Sequence, residues 1–138
     1  MTTAELLEKL SMFRLSRSQW SSMARIKFLD RIEEVIRINI RGEASKYNVR
    51  GMAEHCVKSA ESYGIVTERA IAAFVLHMVL INPKFHLQPR LHSLLLDKSV
   101  DDLARLERLL TDTAEADWAQ AAAMCDPMLY WRPYLQPA

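Results

Sequence analysis

Residues 68–81 read ERAIAAFVLHMVLI, and the fold turns on this stretch. After its first two residues it is apolar nearly all round, with Ile71, Phe74, Val75, Met78, Val79 and Leu80 spread about the helical wheel. A helix without a polar face is buried by its neighbours, so residues 68–81 are predicted to be the central helix of a core. The apolar run from Ala70 to Ile81 is interrupted by His77 and is too short to cross a bilayer. Its ends are marked as well. Gly64 stops the segment before it, because glycine alone enters the left-handed conformation cheaply, and Thr67 can cap the new helix. Asn82-Pro83 ends it, since proline disfavours helix in the residue before it and donates no backbone hydrogen bond.

Working outward toward the N-terminus, Asn48 can cap a helix running to about Tyr63, with Met52, Cys56 and Ala60 on one face. Residues 43–48 read as a loop. Ser16 with Gln19 opens a longer segment, about Arg17 to Arg41. Its apolar positions Ala24, Phe28, Ile32, Val35 and Ile36 form one stripe with Trp20 at the edge, and Gly42 suits the stop. Thr2 with Glu5 fits a first short helix, about Thr3 to Leu10.

Toward the C-terminus, the loop 82–90 holds two prolines and Phe85, expected to tuck under the central helix. A short helix covers Arg90 to Leu96. Ser99 with Asp102 reads as the next N-terminal cap, followed by a stripe of Leu103, Leu106 and Leu110. That helix either runs on to Met124 or breaks near Thr111–Thr113. The tail from Pro127 has three prolines and is expected to be irregular or extended. The prediction is an all-α protein: a single compact bundle of five to seven helices within residues 1–126, and a Pro/aromatic tail over 127–138.

Composition agrees with this class. The chain has 138 residues, half of them hydrophobic, with 3 Gly and 2 Cys, which suits one helical domain and excludes a disulfide framework or a many-turned β-sandwich. MTTAELLEKL has neither the basic start nor the apolar run of a secretory signal, so a cytoplasmic location, with Cys56 and Cys125 as free thiols, is expected.

Catalytic chemistry finds little support in the spacing. The three glycines are isolated, so no phosphate-binding loop occurs. His86 and His92 are six apart across Pro89, His77 lies within the apolar helix, and His55 and Cys56 point about 100° apart on a helix. Cys56 reads as a small buried hydrophobe, and no local spacing brings a histidine to either cysteine. Asp101 and Asp102 read as solvated, helix-start charges. No catalytic residue, cofactor or metal is expected, and a small enzyme or regulator built on Cys56 or a histidine is the outlying alternative.

Charge is uneven. Residues 11–50 hold nine basic residues against four acids, a local balance of +5, while residues 101–138 hold three against seven, a balance of −4. Such a dipole can steer a partner, or the two ends can fold together and cancel. The basic region offers phosphate contacts, and a nucleic-acid-binding regulator is one alternative. Asp30, Glu33 and Glu34 interrupt it, however, and the overall balance is only +1. The tail is more distinctive. Tyr130, Trp131 and Tyr134 crowd into five residues with Arg132 among them, and Tyr, Trp and Arg dominate binding hot spots. These four, with the acids Asp112, Glu115 and Asp117, are the candidate partner-binding residues. Alternatively, Met128, Leu129 and Trp131 fold back to cover the core.

A family resemblance is carried by Tyr63-Gly64-Ile65 with Thr67-Glu68, the helix through Phe74-Val75, Asn82-Pro83-Lys84-Phe85 and Leu94-Leu95-Leu96-Asp97, with Phe13, Ser16, Gln19 and Phe28 upstream. Over roughly residues 13–110 the chain is similar to small all-helical bacterial proteins encoded beside type VI secretion system effectors. It departs from them at Asn82-Pro83, where the family has a Gly-containing turn, and in its aromatic tail. The resemblance implies a non-catalytic accessory protein, an adaptor or chaperone. Its partner would be an effector, a toxin or a secretion-spike component. The short apolar run adds the expectation of no membrane contact, and a homo-oligomer is an alternative. The alternative it implies is an immunity protein, with Asp101 to Asp126 as the natural contact surface.

Overall fold

The computed structural model describes residues 17–40 and 44–137, with side chains from residue 22 onward. The expected helix Thr3–Leu10, the Ser16/Gln19 cap, the Trp20 side chain and the Gly42 stop lie outside that description. The described residues form seven α-helices: α1 Arg17–Asn39, α2 Val49–Glu61, α3 Glu68–Leu80, α4 Pro89–Leu96, α5 Asp102–Thr111, α6 Glu115–Ala122 and α7 Pro127–Trp131. Short 3-10 turns at Ala44–Lys46, Phe85–Leu87 and Arg132–Tyr134 join them. The only strand-like pairing among the described residues is a single bridge between Tyr47 and Leu135.

α3 is the hub: it packs against α1, α2 and α5. Ala70, Ile71, Phe74, Val75 and Met78 are buried along it, and Phe85 reaches under it with no exposed surface. Ile32 and Ile36 of α1 meet this core, as do Met52, Cys56, Val57 and Ala60 of α2. The hub is not covered to its end, however. Leu80 and Ile81 stay exposed beyond the last packed turn.

Local signals set several boundaries. The Asn48 side chain accepts the Gly51 N–H at 3.1 Å and starts α2. Gly64 takes φ +74°, and its N–H bonds the Glu61 carbonyl at 2.9 Å, closing the same helix. The long C-terminal segment breaks at Thr111, and α6 restarts at Glu115.

Two expected caps are replaced, one by a long-range contact and one by a neighbouring residue. Thr67 stands at the start of α3, but its side chain makes no cap bond to that helix. Its hydroxyl donates instead to Asp102 at 3.0 Å, and the same carboxylate accepts the N–H groups of Val66 at 2.8 Å and Thr67 at 2.7 Å. The cap of α5 is Asp101, which accepts the Ala104 N–H at 2.9 Å, not Ser99, which turns back to Asp97. Asp102 is therefore buried rather than solvated. Burial works to raise its carboxyl, but the hydrogen bonds from Thr67, Val66 and Leu103 outweigh it and hold the group below the ordinary carboxylate range.

One turn further along α5, Arg105 is 4% exposed. Its guanidinium donates to the carbonyls of Tyr63 and Leu95, both at 2.7 Å, and of Gly64 at 3.4 Å. A cation thus sits on the carbonyl-rich ends of α2 and α4, where helix dipoles favour positive charge. The pair Asp102 and Arg105 fixes the 63–67 turn from outside.

Candidate protein-binding site

Asp126 accepts the Met128 N–H at 3.0 Å, and Pro127 takes the first position of α7, where a missing N–H costs nothing. The tail expected to be irregular is therefore a single helical turn followed by a 3-10 turn. What orders it is contact with α2. The Tyr134 carbonyl accepts the Asn48 N–H at 2.7 Å, and the Gln136 N–H reaches the Lys46 carbonyl at 2.7 Å. Gly51 makes room for this approach: a Cβ there would stand 3.2 Å from Cδ1 of Tyr134 and 2.7 Å from the Asn48 side chain.

The tail aromatics gather about one histidine. His55 hydrogen-bonds the Tyr130 hydroxyl, and its ring lies 5.8 Å from Tyr134 and 6.1 Å from Trp131. Tyr130 and Trp131 meet edge to face at 4.9 Å. Burial lowers the proton affinity of His55, helped by Lys58, and burial pushes the Tyr130 hydroxyl up to about 12. Trp131 is 5% exposed and belongs to the core. Tyr130 and Tyr134 are half-buried and Arg132 is exposed. Met128 and Leu129, expected to fold back with Trp131, remain 69% and 57% exposed.

The three candidate acids occupy the α5–α6 corner. Asp117 accepts the Ala114 N–H at 2.9 Å and a Gln88 amide at 3.3 Å, so it starts α6 and ties it to the 82–88 loop. Asp112 lies 3.9 Å from Arg108 and accepts the Thr111 hydroxyl. Glu115 is exposed. Asp117 is thus a structural residue, and Asp112 and Glu115 are the acids that face solvent.

The feature that residue-by-residue reading missed is a groove of about 260 Å³ between the end of α3 and the tail. Val79, Leu80 and Ile81 form one wall, Pro127, Met128 and Trp131 the other, and Ile40 and Tyr47 close an end. Asn82 and Pro83 also line it. Asn82 is buried and already engaged: its amide donates to the carbonyls of Ala122 at 3.1 Å and Cys125 at 2.8 Å, and its oxygen accepts the Lys84 N–H. The groove therefore presents mainly hydrocarbon, and the Asn82 amide that lines it is spent internally. The sequence signal for it was the excess of apolar residues at the end of the hub helix.

Three further titratable groups, His77, Cys56 and Cys125, are engaged within the fold. His77 stacks between Phe85 and Trp118, at 5.2 and 5.6 Å, and donates to the Ala73 carbonyl. Cys56 is fully buried, and burial pushes its thiol up to about 12, which suppresses the nucleophilic thiolate. Cys125 is a free thiol directed at the Asn82 oxygen. No helix of the described residues is long and apolar enough to cross a membrane. Comparison with protein-family models, with curated proteins and with solved structures finds no match for this chain.

Proposed function

We propose that this protein is a non-catalytic binding module that holds an apolar segment of a partner protein in the groove between α3 and the tail. One observation carries the reading: Leu80, Ile81 and Met128 surround a concave apolar surface at 42%, 36% and 69% exposure. Contiguous apolar surface left in water marks an interaction site more often than accident, and a concave one suits an inserted side chain. The resemblance noted above supplies the biological setting: a cytoplasmic adaptor or chaperone for a type VI secretion effector.

The test is co-expression with an effector drawn from the same gene neighbourhood. The wild-type chain should co-purify with the effector and leave its toxicity intact. Ile81→Asp with Met128→Asp should abolish co-purification while the helical signal is retained. Unchanged co-purification with the double variant would sink the groove as the binding site. Exposed Asp112 and Glu115 support a second reading, an immunity protein. In that case toxicity would vanish on co-expression and return with Asp112→Lys and Glu115→Lys.

A further inference from the structure

Tyr63 follows α2, His86 lies in the 3-10 turn after Lys84, and His92 lies in α4. Their polar atoms meet. The Tyr63 oxygen is 2.9 Å from Nδ1 of His86 and 2.9 Å from Nδ1 of His92. The His86 carbonyl oxygen is 3.2 Å from both the Tyr63 oxygen and His92 Nδ1. Phe74 and Phe85 flank the His86 ring at 5.4 and 5.5 Å. A further hydrogen bond joins His86 to the Pro83 backbone. Four donor atoms from three separate elements thus form one knot, with separations near the roughly 3 Å edges of a coordination shell whose bonds are about 2.1 Å.

We propose that this knot is a binding site for a divalent late first-row metal, with Cu²⁺ preferred over Zn²⁺. Nδ1 of His86, Nδ1 of His92 and the Tyr63 oxygen are the ligands, and the His86 carbonyl is a fourth donor. A mixed nitrogen and oxygen donor set suits Cu²⁺, and the general affinity order puts Cu²⁺ above Zn²⁺. No group of three His, Cys, Asp or Glu among the described residues can hold a metal; here the third side chain is a phenol. In the metal-free protein these atoms hydrogen-bond one another, the phenol proton serving one histidine. Metal entry replaces those bonds and releases the phenol proton to solvent, so uptake weakens in acid.

The experiment titrates the chelator-stripped full chain with CuCl₂ and with ZnCl₂, by calorimetry and visible absorption. One saturable equivalent is expected, with Cu²⁺ tighter, and a Tm rise of roughly 5 °C at saturation. A phenolate-to-copper charge-transfer band should appear and should be lost in Tyr63→Phe, which keeps the ring. His92→Gln, at a half-buried position, should weaken binding roughly tenfold or more with unchanged helicity. Absence of a saturable Cu²⁺ site would overturn the proposal, leaving the knot a hydrogen-bonded clasp. So would undiminished binding in both Tyr63→Phe and His92→Gln, which would place the metal elsewhere.

Discussion

The α5 face and the tail face of this molecule handle ill-suited groups in opposite ways. On the α5 face two charged side chains, Asp102 and Arg105, are taken out of water, and backbone groups of the 63–67 turn and of Leu95 bind them. On the tail face apolar side chains, Leu80, Ile81 and Met128, stay exposed among the described residues. A buried charge persists only where its hydrogen bonds are made, and exposed hydrocarbon of this extent is stable but unsatisfied. The first region takes its partners from the chain itself, apart from the buried Nε of Arg105, which has none; the second is the surface proposed to bind a partner. Substitutions on the α5 face should therefore destabilise the protein, and substitutions of the exposed groove residues Leu80, Ile81 and Met128 should leave the fold alone.

The largest effect should come from Arg105→Ala. It leaves the Tyr63 and Leu95 carbonyls buried without their donor and should cost about 4 kcal/mol in urea unfolding. A loss of only a few tenths would show that the turn holds without Arg105. Trp131→Ala comes next, at about 3 kcal/mol, because the ring is buried against the core. This variant sharpens the boundary of the tail face: a small loss would mean the tail is a detachable strap.

Asp102→Asn should cost about 2 kcal/mol, since a neutral amide replaces a carboxylate holding three backbone N–H groups and a hydroxyl. The carboxyl lies below its ordinary value of 3.8 in the fold, so its contribution is present above that pH and disappears as pH falls below it. The variant should flatten that part of an acid-unfolding curve. His86 acts at higher pH. It is depressed from 6.5 to about 4, so the unfolded chain takes up its proton first and stability declines as pH falls from 6.5 toward 4. The decline should be on the order of 1 kcal/mol, allowing for partial exposure, and His86→Gln should remove it. The smallest change belongs to Met128→Ser, at about 0.5 kcal/mol or less in unfolding. Partner binding should nevertheless fall sharply.

The elements legible in the sequence were those specified within a few residues. Asn48 and Gly64 act on their own helix through a side-chain oxygen and a positive φ, and both stand where the pattern put them. Ile71, Phe74, Val75 and Met78 announce a hub because apolar surface on all sides has one stable location. Asp102 was misread as a solvated helix-start charge because its partners, Val66 and Thr67, lie 36 and 35 residues away. Spacing gave the tail aromatics no destination, because only the space over Gly51 and beside His55 provides one. His86 and His92 looked unrelated for the same reason: Tyr63, which joins them, sits 23 and 29 residues upstream.

Sequence alone determined the all-α class, the hub helix and its glycine and proline boundaries, because hydrophobic periodicity and backbone sterics act over a few residues. Tertiary structure alone decided which charges are buried, where the aromatic tail lies and which apolar side chains remain uncovered. Those outcomes depend on which distant groups share space after the chain closes, and that proximity leaves no mark in local spacing.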